Sequence, residues 1–182
     1  SKMHKPHFTS TSITAADGYP LQASVFIPEQ PNGRTVVMGS AMGVLQQYYY
    51  NFGEYLRGEG FYVVVFDYRG VGLSAPPKLK GFEAQLHDWG ELDIEAVLQY
   101  ALYQLPTDVL LYASHSVGGQ VFGLAESGKY VEQVIMVASQ SGYWNLWDGY
   151  HKLRMFNISH FALPGLTSMF GYLPAKKLKL FE

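Results

Sequence analysis

Ser116 is the residue whose type and neighbours point most directly to chemistry. It lies in residues 114–119, Ser-His-Ser-Val-Gly-Gly, directly after the apolar run at residues 109–113. A serine between two small residues, where a strand meets a helix, is held on a sharp turn with its hydroxyl exposed above the sheet. Gly118 is the second small residue, whereas Ser114 replaces the glycine that is usual at the first. The pattern predicts a nucleophile elbow with Ser116 as the nucleophile.

A serine nucleophile also needs hydrogen-bond donors for the oxyanion that its attack creates. In an elbow the residue after the nucleophile supplies one backbone N–H, here Val117, and a loop after a neighbouring strand supplies the second. Residues 39–43, Gly-Ser-Ala-Met-Gly, follow a predicted strand, and we expect the N–H of Met42 to be this donor. The alternative is that residues 39–43 form an ordinary glycine-rich connection between a strand and a helix.

The base and the acid of a triad have weaker signals. Asp148, His151 and His160 follow Ser116 in the chain order serine, acid, histidine, which makes them candidates. They lie in an aromatic-rich stretch that we interpret as helical cover over the sheet, and geometry rather than order defines a triad. His151 and His160 are far apart without a third ligand at a suitable spacing, so no metal site is predicted.

Other polar residues are interpreted structurally. We expect His115 to be packed and hydrogen-bonded, with its side chain diverging from that of Ser116, and His87 to lie at the surface or at a helix cap. Residues 67–74 contain Gly-x-Gly after a strand, but a third glycine is absent and prolines follow, which excludes a dinucleotide-binding loop. Asp67 and Arg69 are predicted to fix this loop through hydrogen bonds and an ion pair.

The elements that position these residues follow from hydrophobic periodicity. Residues 8–14 and 21–27 alternate in polarity around Asp17-Gly18 and predict a β-hairpin. Further strands are predicted at residues 35–38, 61–66, 109–113 and 134–138, and helices at residues 48–57, after Asp88 and after Ser116. Asp88 is the predicted N-cap, with Glu91 completing a capping box. This order predicts an α/β fold with a mostly parallel sheet and helices on both faces.

Composition bounds the remaining possibilities. The chain has 182 residues, 48% of them hydrophobic, enough for one sizeable core. A net charge of −2 without a basic cluster argues against nucleic-acid binding. The absence of cysteine excludes disulfides and thiolate catalysis and fits a reducing compartment, so we expect the cytoplasm. The apolar stretch at residues 155–173 is interrupted by Asn157, His160 and Pro164, so no membrane span is predicted.

Together these motifs resemble the α/β-hydrolase superfamily, and within it the uncharacterised bacterial hydrolases near serine aminopeptidases and monoacylglycerol lipases. The residues that carry the resemblance are Ser40-Ala-Met-Gly-Val44, Phe66-Asp-Tyr-Arg-Gly-Val-Gly-Leu-Ser74, His87-Asp-Trp-Gly90, Ser114-His-Ser-Val-Gly-Gly119 and Ser141-Gly-Tyr-Trp144. The resemblance implies that Ser116 is the nucleophile, that Met42 and Val117 donate to the oxyanion, and that no cofactor is used.

The resemblance also divides the chain. It implies a hydrolase core over residues 1–140 and the start of a cap over residues 141–182. In such proteins the acid and the base histidine follow later strands, so we expect the chain to be a truncated form that lacks both. A sheet that ends with the strand at residues 134–138 would have an open edge, through which two copies could pair.

Two functions of different classes follow. The first is a serine hydrolase that cleaves an ester or amide through an acyl-enzyme on Ser116. The second is a non-catalytic protein of the same fold that binds small apolar ligands under the aromatic residues of the cap, which are Tyr143, Trp144, Trp147 and Phe156.

Overall fold

A computed structural model of the chain describes residues 7–115, 121–139 and 153–159, with the backbone alone for residues 135–139 and 153–159. The strands are β1 (Phe8–Thr14), β2 (Pro20–Phe26), β3 (Arg34–Gly39), β4 (Tyr62–Phe66), β5 (Val109–Ser114), β6 (Val131–Ser139) and β7 (Leu153–Ser159). The α-helices are α1 (Tyr50–Gly58), α2 (Leu86–Asp88) and α3 (Glu95–Gln104). Shorter 3₁₀ helices cover Gln46–Tyr49, Gly72–Ser74 and Glu126–Tyr130, and a π-helical segment, Trp89–Ile94, joins α2 to α3.

The strands form one sheet in the order β1-β2-β4-β3-β5-β6-β7. β4, β3, β5 and β6 are parallel, while β1 and β2 at one side and β7 at the other are antiparallel to their neighbours. From β3 the chain passes through α1 to β4 on one side, and from β4 it returns past β3 to β5 on the other. The strand order therefore reverses between β3 and β5, and in open α/β sheets the carboxyl ends of two such strands border the crevice in which ligands bind.

Both faces of the parallel strands are buried, which explains why their sequences are apolar throughout. Val36, Met38 and Leu111 pack toward α1, whose Phe52 and Leu56 are buried. The alternate strand residues face α3 on the other side of the sheet, in a cluster that contains Val37, Val64, Leu110, Ile94, Val97 and Leu98. The prediction of a mostly parallel sheet with helices on both faces is confirmed.

The N-terminal hairpin is also confirmed, with β1 and β2 antiparallel around a turn at Asp17-Gly18. The predicted cap of the helix is wrong. Gln85 is the N-cap, and its N–H donates to Oδ2 of Asp88 at 3.1 Å. Asp88 is thus the third helical residue, where its negative charge favours the helix N-terminus. No helix among the described residues is long and apolar enough to cross a bilayer.

The edge of the sheet beside β6 differs from the sequence-based expectation. Residues 153–159 were expected within the helical cover, but they form β7, which pairs antiparallel with β6 from Gln133↔Ser159 to Ser139↔Leu153. A short stretch rich in apolar residues does not distinguish a strand from a buried helix by its periodicity. The backbone groups of β6 that face this edge are paired with β7, so the edge expected to bind another copy is already occupied.

Asp67 holds the two loops that flank the crevice. Its carboxylate is 1% exposed and accepts three hydrogen bonds from uncharged donors. Oδ1 accepts from the N–H of Gln46 at 2.8 Å, and Oδ2 accepts from Nε2 of Gln46 and from the N–H of Leu73, each at 3.0 Å. Gln46 begins the 3₁₀ helix after the β3 loop, and Leu73 lies in the loop after β4. One buried side chain thus fixes the loop after β4, as predicted, and also the loop after β3, which the sequence did not predict.

Arg69 forms the predicted ion pair with residues outside its own loop. Its Nε donates to Oδ1 of Asp93 at 2.8 Å, its backbone N–H donates to Oδ2 of Asp93 at 2.8 Å, and its terminal nitrogens donate to both oxygens of Asp17. Burial raises the pKa of Asp93, an effect that the hydrogen bonds and charge of Arg69 oppose. The hydrogen bonds from Arg69 lower the pKa of the more exposed Asp17. The group joins the hairpin turn, the β4 loop and the π-helical segment.

Gly90 allows the π-helical segment to approach the chain that follows the predicted elbow. A Cβ atom at Gly90 would overlap the carbonyl oxygen of Val121 and would lie 2.9 Å from Cβ of Leu124. Val121 and Phe122 are helical and buried, and they begin the described chain after residue 120. The close contact therefore sets how the segment after the elbow sits on the sheet.

We expect Gly90→Ala to lower the free energy of unfolding by about 1–3 kcal/mol, because the added methyl group meets backbone that must shift. Urea denaturation measures the effect. Gly58→Ala is the matched control, since a Cβ at that helical position has nothing within 4 Å and alanine is favoured in a helix. Equal stability of the two variants would contradict this account of the contact.

Asp67→Asn should lower the free energy of unfolding by about 1–3 kcal/mol, because the new amide NH₂ faces donors and leaves at least one of them unpaired. The same denaturation experiment tests it. Asp108→Asn changes an exposed carboxylate and should stay within about 0.5 kcal/mol of the original chain. A similar loss in both variants would show that charge, and not the three hydrogen bonds, matters at Asp67.

Candidate active site

The crevice between the ends of β3 and β5 brings together two of the sequence motifs. Gly39, the last residue of β3, pairs with Ser114, the last residue of β5. The pairing continues one step further, because the N–H of His115 donates to the carbonyl oxygen of Gly39 at 3.0 Å. The residue that immediately precedes Ser116 is therefore bonded to the residue at which the predicted oxyanion loop begins.

The predicted oxyanion loop contains a tight turn. The N–H of Val44 donates to the carbonyl oxygen of Ala41 at 3.1 Å, and Gly43 has a φ of +72°. A positive φ at the third of four residues is typical of a type II turn, which explains the glycine. Among the described residues, nothing accepts a hydrogen bond from the N–H of Met42. The side chain of Met42 is 61% exposed.

Three buried tyrosines hold this loop from below. The hydroxyl of Tyr49 accepts from the N–H of Ala41 at 2.9 Å, and the hydroxyl of Tyr68 donates to the carbonyl oxygen of Ser40 at 3.2 Å. The hydroxyl of Tyr112 lies where a Cβ atom of residue 39 would be, so only glycine fits there. Burial raises the pKa of all three phenols, which keeps their hydroxyl protons in place.

His115 is packed and hydrogen-bonded, as the sequence predicted. Its Nδ1 lies 2.8 Å from the hydroxyl of Tyr49, and its ring is parallel to that of Tyr48, with centroids 6.5 Å apart. Burial lowers the pKa of His115, so the imidazole is neutral at pH 7. The side chain belongs to the framework under the loop. Its divergence from the side chain of Ser116 stays a prediction, because Ser116 lies outside the described residues.

The remaining predicted site residues are not all within the described chain. Ser116 and Val117 lie outside the described residues. The triad candidates Asp148, His151 and His160 lie outside them as well, as do Tyr143, Trp144 and Trp147 of the predicted cap. Their roles therefore remain predictions from the sequence.

Of the other predictions, His87 is exposed and contacts Asp88, with Nε2 3.2 Å from Oδ1, as expected of a surface residue. Sequence reasoning did not identify Tyr49 and Tyr68 as part of the site. The only signal was their position, because Tyr49 lies in a run of three tyrosines just after the glycine loop and Tyr68 lies inside the motif at residues 66–74.

Comparison by sequence identifies no relative: no protein-family model matches the chain, and no curated protein sequence is significantly similar. Comparison of structures does find similar proteins. An esterase of Pyrococcus furiosus has a TM-score of 0.58 with 22% identity, over 69% of this chain and 49% of its own. A serine hydrolase without a lid from Xanthomonas campestris has a TM-score of 0.59 with 24% identity, over 81% of this chain and 68% of its own.

An epoxide hydrolase of Vigna radiata is similar at a TM-score of 0.54 and 16% identity, over 70% of this chain and 39% of its own. The chain thus spans about half the length of the Pyrococcus esterase, at 49%. These proteins differ in the reaction that their names give, and what they share with this chain is architecture. The sheet order, the helices on both faces and these structural likenesses establish that the chain has the α/β-hydrolase fold.

Proposed function

We propose that this protein is a serine hydrolase that cleaves an ester or amide through an acyl-enzyme intermediate on Ser116. The observation that carries the proposal is the hydrogen bond from the N–H of His115 to Gly39 at the carboxyl ends of β3 and β5. It brings the start of the serine motif beside a loop in which the N–H of Met42 has no described acceptor. A nucleophile and an oxyanion donor need this proximity.

The reaction proceeds in two halves. Oγ of Ser116 attacks the carbonyl carbon of the substrate while a base takes the hydroxyl proton. The negative charge that develops on the carbonyl oxygen is held by the backbone N–H groups of Met42 and Val117. The tetrahedral intermediate expels the alcohol or amine, which receives the proton, and leaves an ester on Ser116. Water then attacks this ester in the same way and releases the carboxylic acid.

The proposed mechanism also needs a histidine as base and a carboxylate as acid. Within the described residues, His7 contacts Glu54, His87 contacts Asp88 and His115 contacts Tyr49. His7 and His87 are exposed, and His115 is part of the framework below the crevice loops. Within this chain, Asp148, His151 and His160 follow Ser116 in the order serine, acid, histidine, and single variants of the two histidines test them. In the truncated form that the resemblance implies, the acid and base would instead come from later strands.

A second candidate function is binding of small apolar ligands without turnover. Three large apolar side chains on the crevice loops are exposed: Met42 at 61%, Leu45 at 45% and Leu73 at 57%. Leu45 packs toward the second loop, because a Cβ atom at Gly72 would lie 2.8 Å from its Cδ2. Exposed apolar side chains beside a crevice favour an apolar ligand or the acyl group of a substrate.

A fluorophosphonate probe tests the first function. Oγ of Ser116 should displace fluoride from phosphorus, with its proton passing to the base, and the intact mass should rise by one phosphonyl group. Ser116→Ala should abolish labelling, while Ser10→Ala, an exposed serine on β1, should label as the original chain does. Absence of labelling in the original chain would argue against an activated serine.

If labelling occurs, His151→Gln and His160→Gln identify the base. Loss of the triad histidine should slow labelling by several orders of magnitude, since in subtilisin it costs about 10⁶ in turnover. The other variant should label at the original rate. Two unaffected variants would place the base outside these candidates.

Calorimetric titration with decanoate tests the second function. Leu45→Ser should weaken binding roughly ten-fold, because a leucine side chain that is buried on binding contributes about 1.5–3 kcal/mol. Ile27→Ser is the matched control: Ile27 is 48% exposed and follows β2, which is antiparallel to β4, so it lies at the opposite end of the sheet. Saturable binding that survives Ser116→Ala, together with no probe labelling, would favour ligand binding alone.

A further inference from the structure

Tyr49 is a buried residue that touches both halves of the candidate site. It is the last residue of the 3₁₀ helix before α1, and its side chain is fully buried. Its hydroxyl oxygen lies 2.9 Å from the N–H of Ala41 and 2.8 Å from Nδ1 of His115. Ala41 precedes Met42, and His115 precedes Ser116. The hydroxyl thus contacts the residue before the proposed oxyanion donor and the residue before the proposed nucleophile.

The chemistry of the groups fixes the direction of the first hydrogen bond, and the tautomer of His115 sets that of the second. A phenol hydroxyl has one proton to donate and lone pairs to accept. The N–H of Ala41 is a donor, so the hydroxyl oxygen accepts there. Its own proton is directed to Nδ1 of His115 in the tautomer in which that nitrogen is unprotonated. His115 then carries its proton on Nε2. Burial favours the neutral form of both groups, because it raises the pKa of Tyr49 and lowers the pKa of His115.

Other contacts make this linkage rigid. The N–H of His115 donates to Gly39, and the ring of Tyr49 meets the His115 ring edge to face, at 5.8 Å between centroids and 80° between planes. His115 is therefore tied to the loop at Gly39 through its backbone and at Ala41 through its side chain and Tyr49. Met42 follows Ala41, and its N–H belongs to the peptide bond between the two residues. The hydrogen bond that fixes Ala41 therefore helps to set the direction of the Met42 N–H.

We propose that Tyr49 is a positioning residue that joins the oxyanion loop to the nucleophile motif, accepting from the N–H of Ala41 and donating to Nδ1 of His115. This inference rests on the proposed function of Ser116, and it extends that function to a residue that does not touch the substrate. The hydroxyl keeps the distance between the N–H of Met42 and the start of the elbow constant. A shift of about 1 Å in such a distance costs about 100-fold in rate.

The first test uses the original chain and needs no variant. Nitrogen-15 NMR of the His115 ring at pH 7.5 should show Nδ1 as an unprotonated acceptor and Nε2 as the protonated nitrogen. The amide of Ala41 should be protected from hydrogen exchange, since its only described acceptor is a buried hydroxyl. A protonated Nδ1 would overturn the proposal, because the hydroxyl would then accept from both sides and its proton would not join them.

The second test compares Tyr49→Phe with Tyr50→Phe. The first variant keeps the aromatic ring and removes the hydroxyl that joins the two segments. The second removes a neighbouring hydroxyl, which lies 3.0 Å from Oγ of Ser24 on β2 and makes no hydrogen bond to Ala41 or His115. We expect Tyr49→Phe to change the ring-nitrogen shifts of His115, expose the Ala41 amide to exchange and slow fluorophosphonate labelling about 10- to 100-fold. Tyr50→Phe should change none of these.

The readouts separate this inference from the proposed function. If the original chain is labelled and Tyr49→Phe is labelled at the same rate, positioning by Tyr49 is wrong while Ser116 remains the nucleophile. If the original chain is not labelled, the proposed function fails, and the NMR measurements still decide whether Tyr49 joins the two segments. Unchanged His115 shifts and an equally protected Ala41 amide in Tyr49→Phe would overturn the linkage in either case.

Discussion

Parallel pairing of β3 with β5 places Gly39 opposite Ser114, and the rest of the site depends on this register. The strand order reverses between these two strands, and in open α/β sheets ligands bind at the carboxyl ends of such a pair. A shift of the pairing by one residue would turn the side chains of β5 to the other face of the sheet. It would also separate His115 from Gly39. Register is thus the condition for any chemistry at this edge.

The loops themselves are held by hydrogen bonds from buried polar side chains to their backbone. Asp67 fixes the chain at Gln46 and Leu73, while Tyr49 and Tyr68 fix Ala41 and Ser40, which lie earlier in the loop after β3. Such groups are costly to bury unless they are hydrogen-bonded, and each of these has a partner. A loop anchored at several backbone positions keeps its remaining N–H groups in a fixed direction. That rigidity is what electrostatic stabilisation of a transient charge requires.

The sequence predicted the parts of the fold that have a regular signature. Unbroken apolar runs and the hairpin alternation identified six of the strands, and the small-residue motif around Ser116 predicted the edge of the sheet where the candidate site lies. The contribution of Tyr49 was not predictable, because a hydroxyl on the buried side of a helix has the same periodicity as any core residue. Gln85 was missed as the N-cap because Asp88 is the more favourable residue type for that position. The strand β7 was missed because its apolar stretch fits a strand or a buried helix equally well.

The contact between Gly39 and Tyr112 constrains how this edge of the sheet can vary. The ring of Tyr112 occupies the volume that any side chain at position 39 would need, and Phe122 stacks on that ring at 4.2 Å between centroids. The position of the Tyr112 ring therefore depends on Gly39 at the end of β3, and the position of Phe122 in the next helical segment depends on that ring. A larger residue at position 39 is tolerable only with a smaller one at position 112, and position 122 must then fill the vacated space. Substitutions at positions 39, 112 and 122 are therefore coupled, so a change at one of them requires compensating changes at the others.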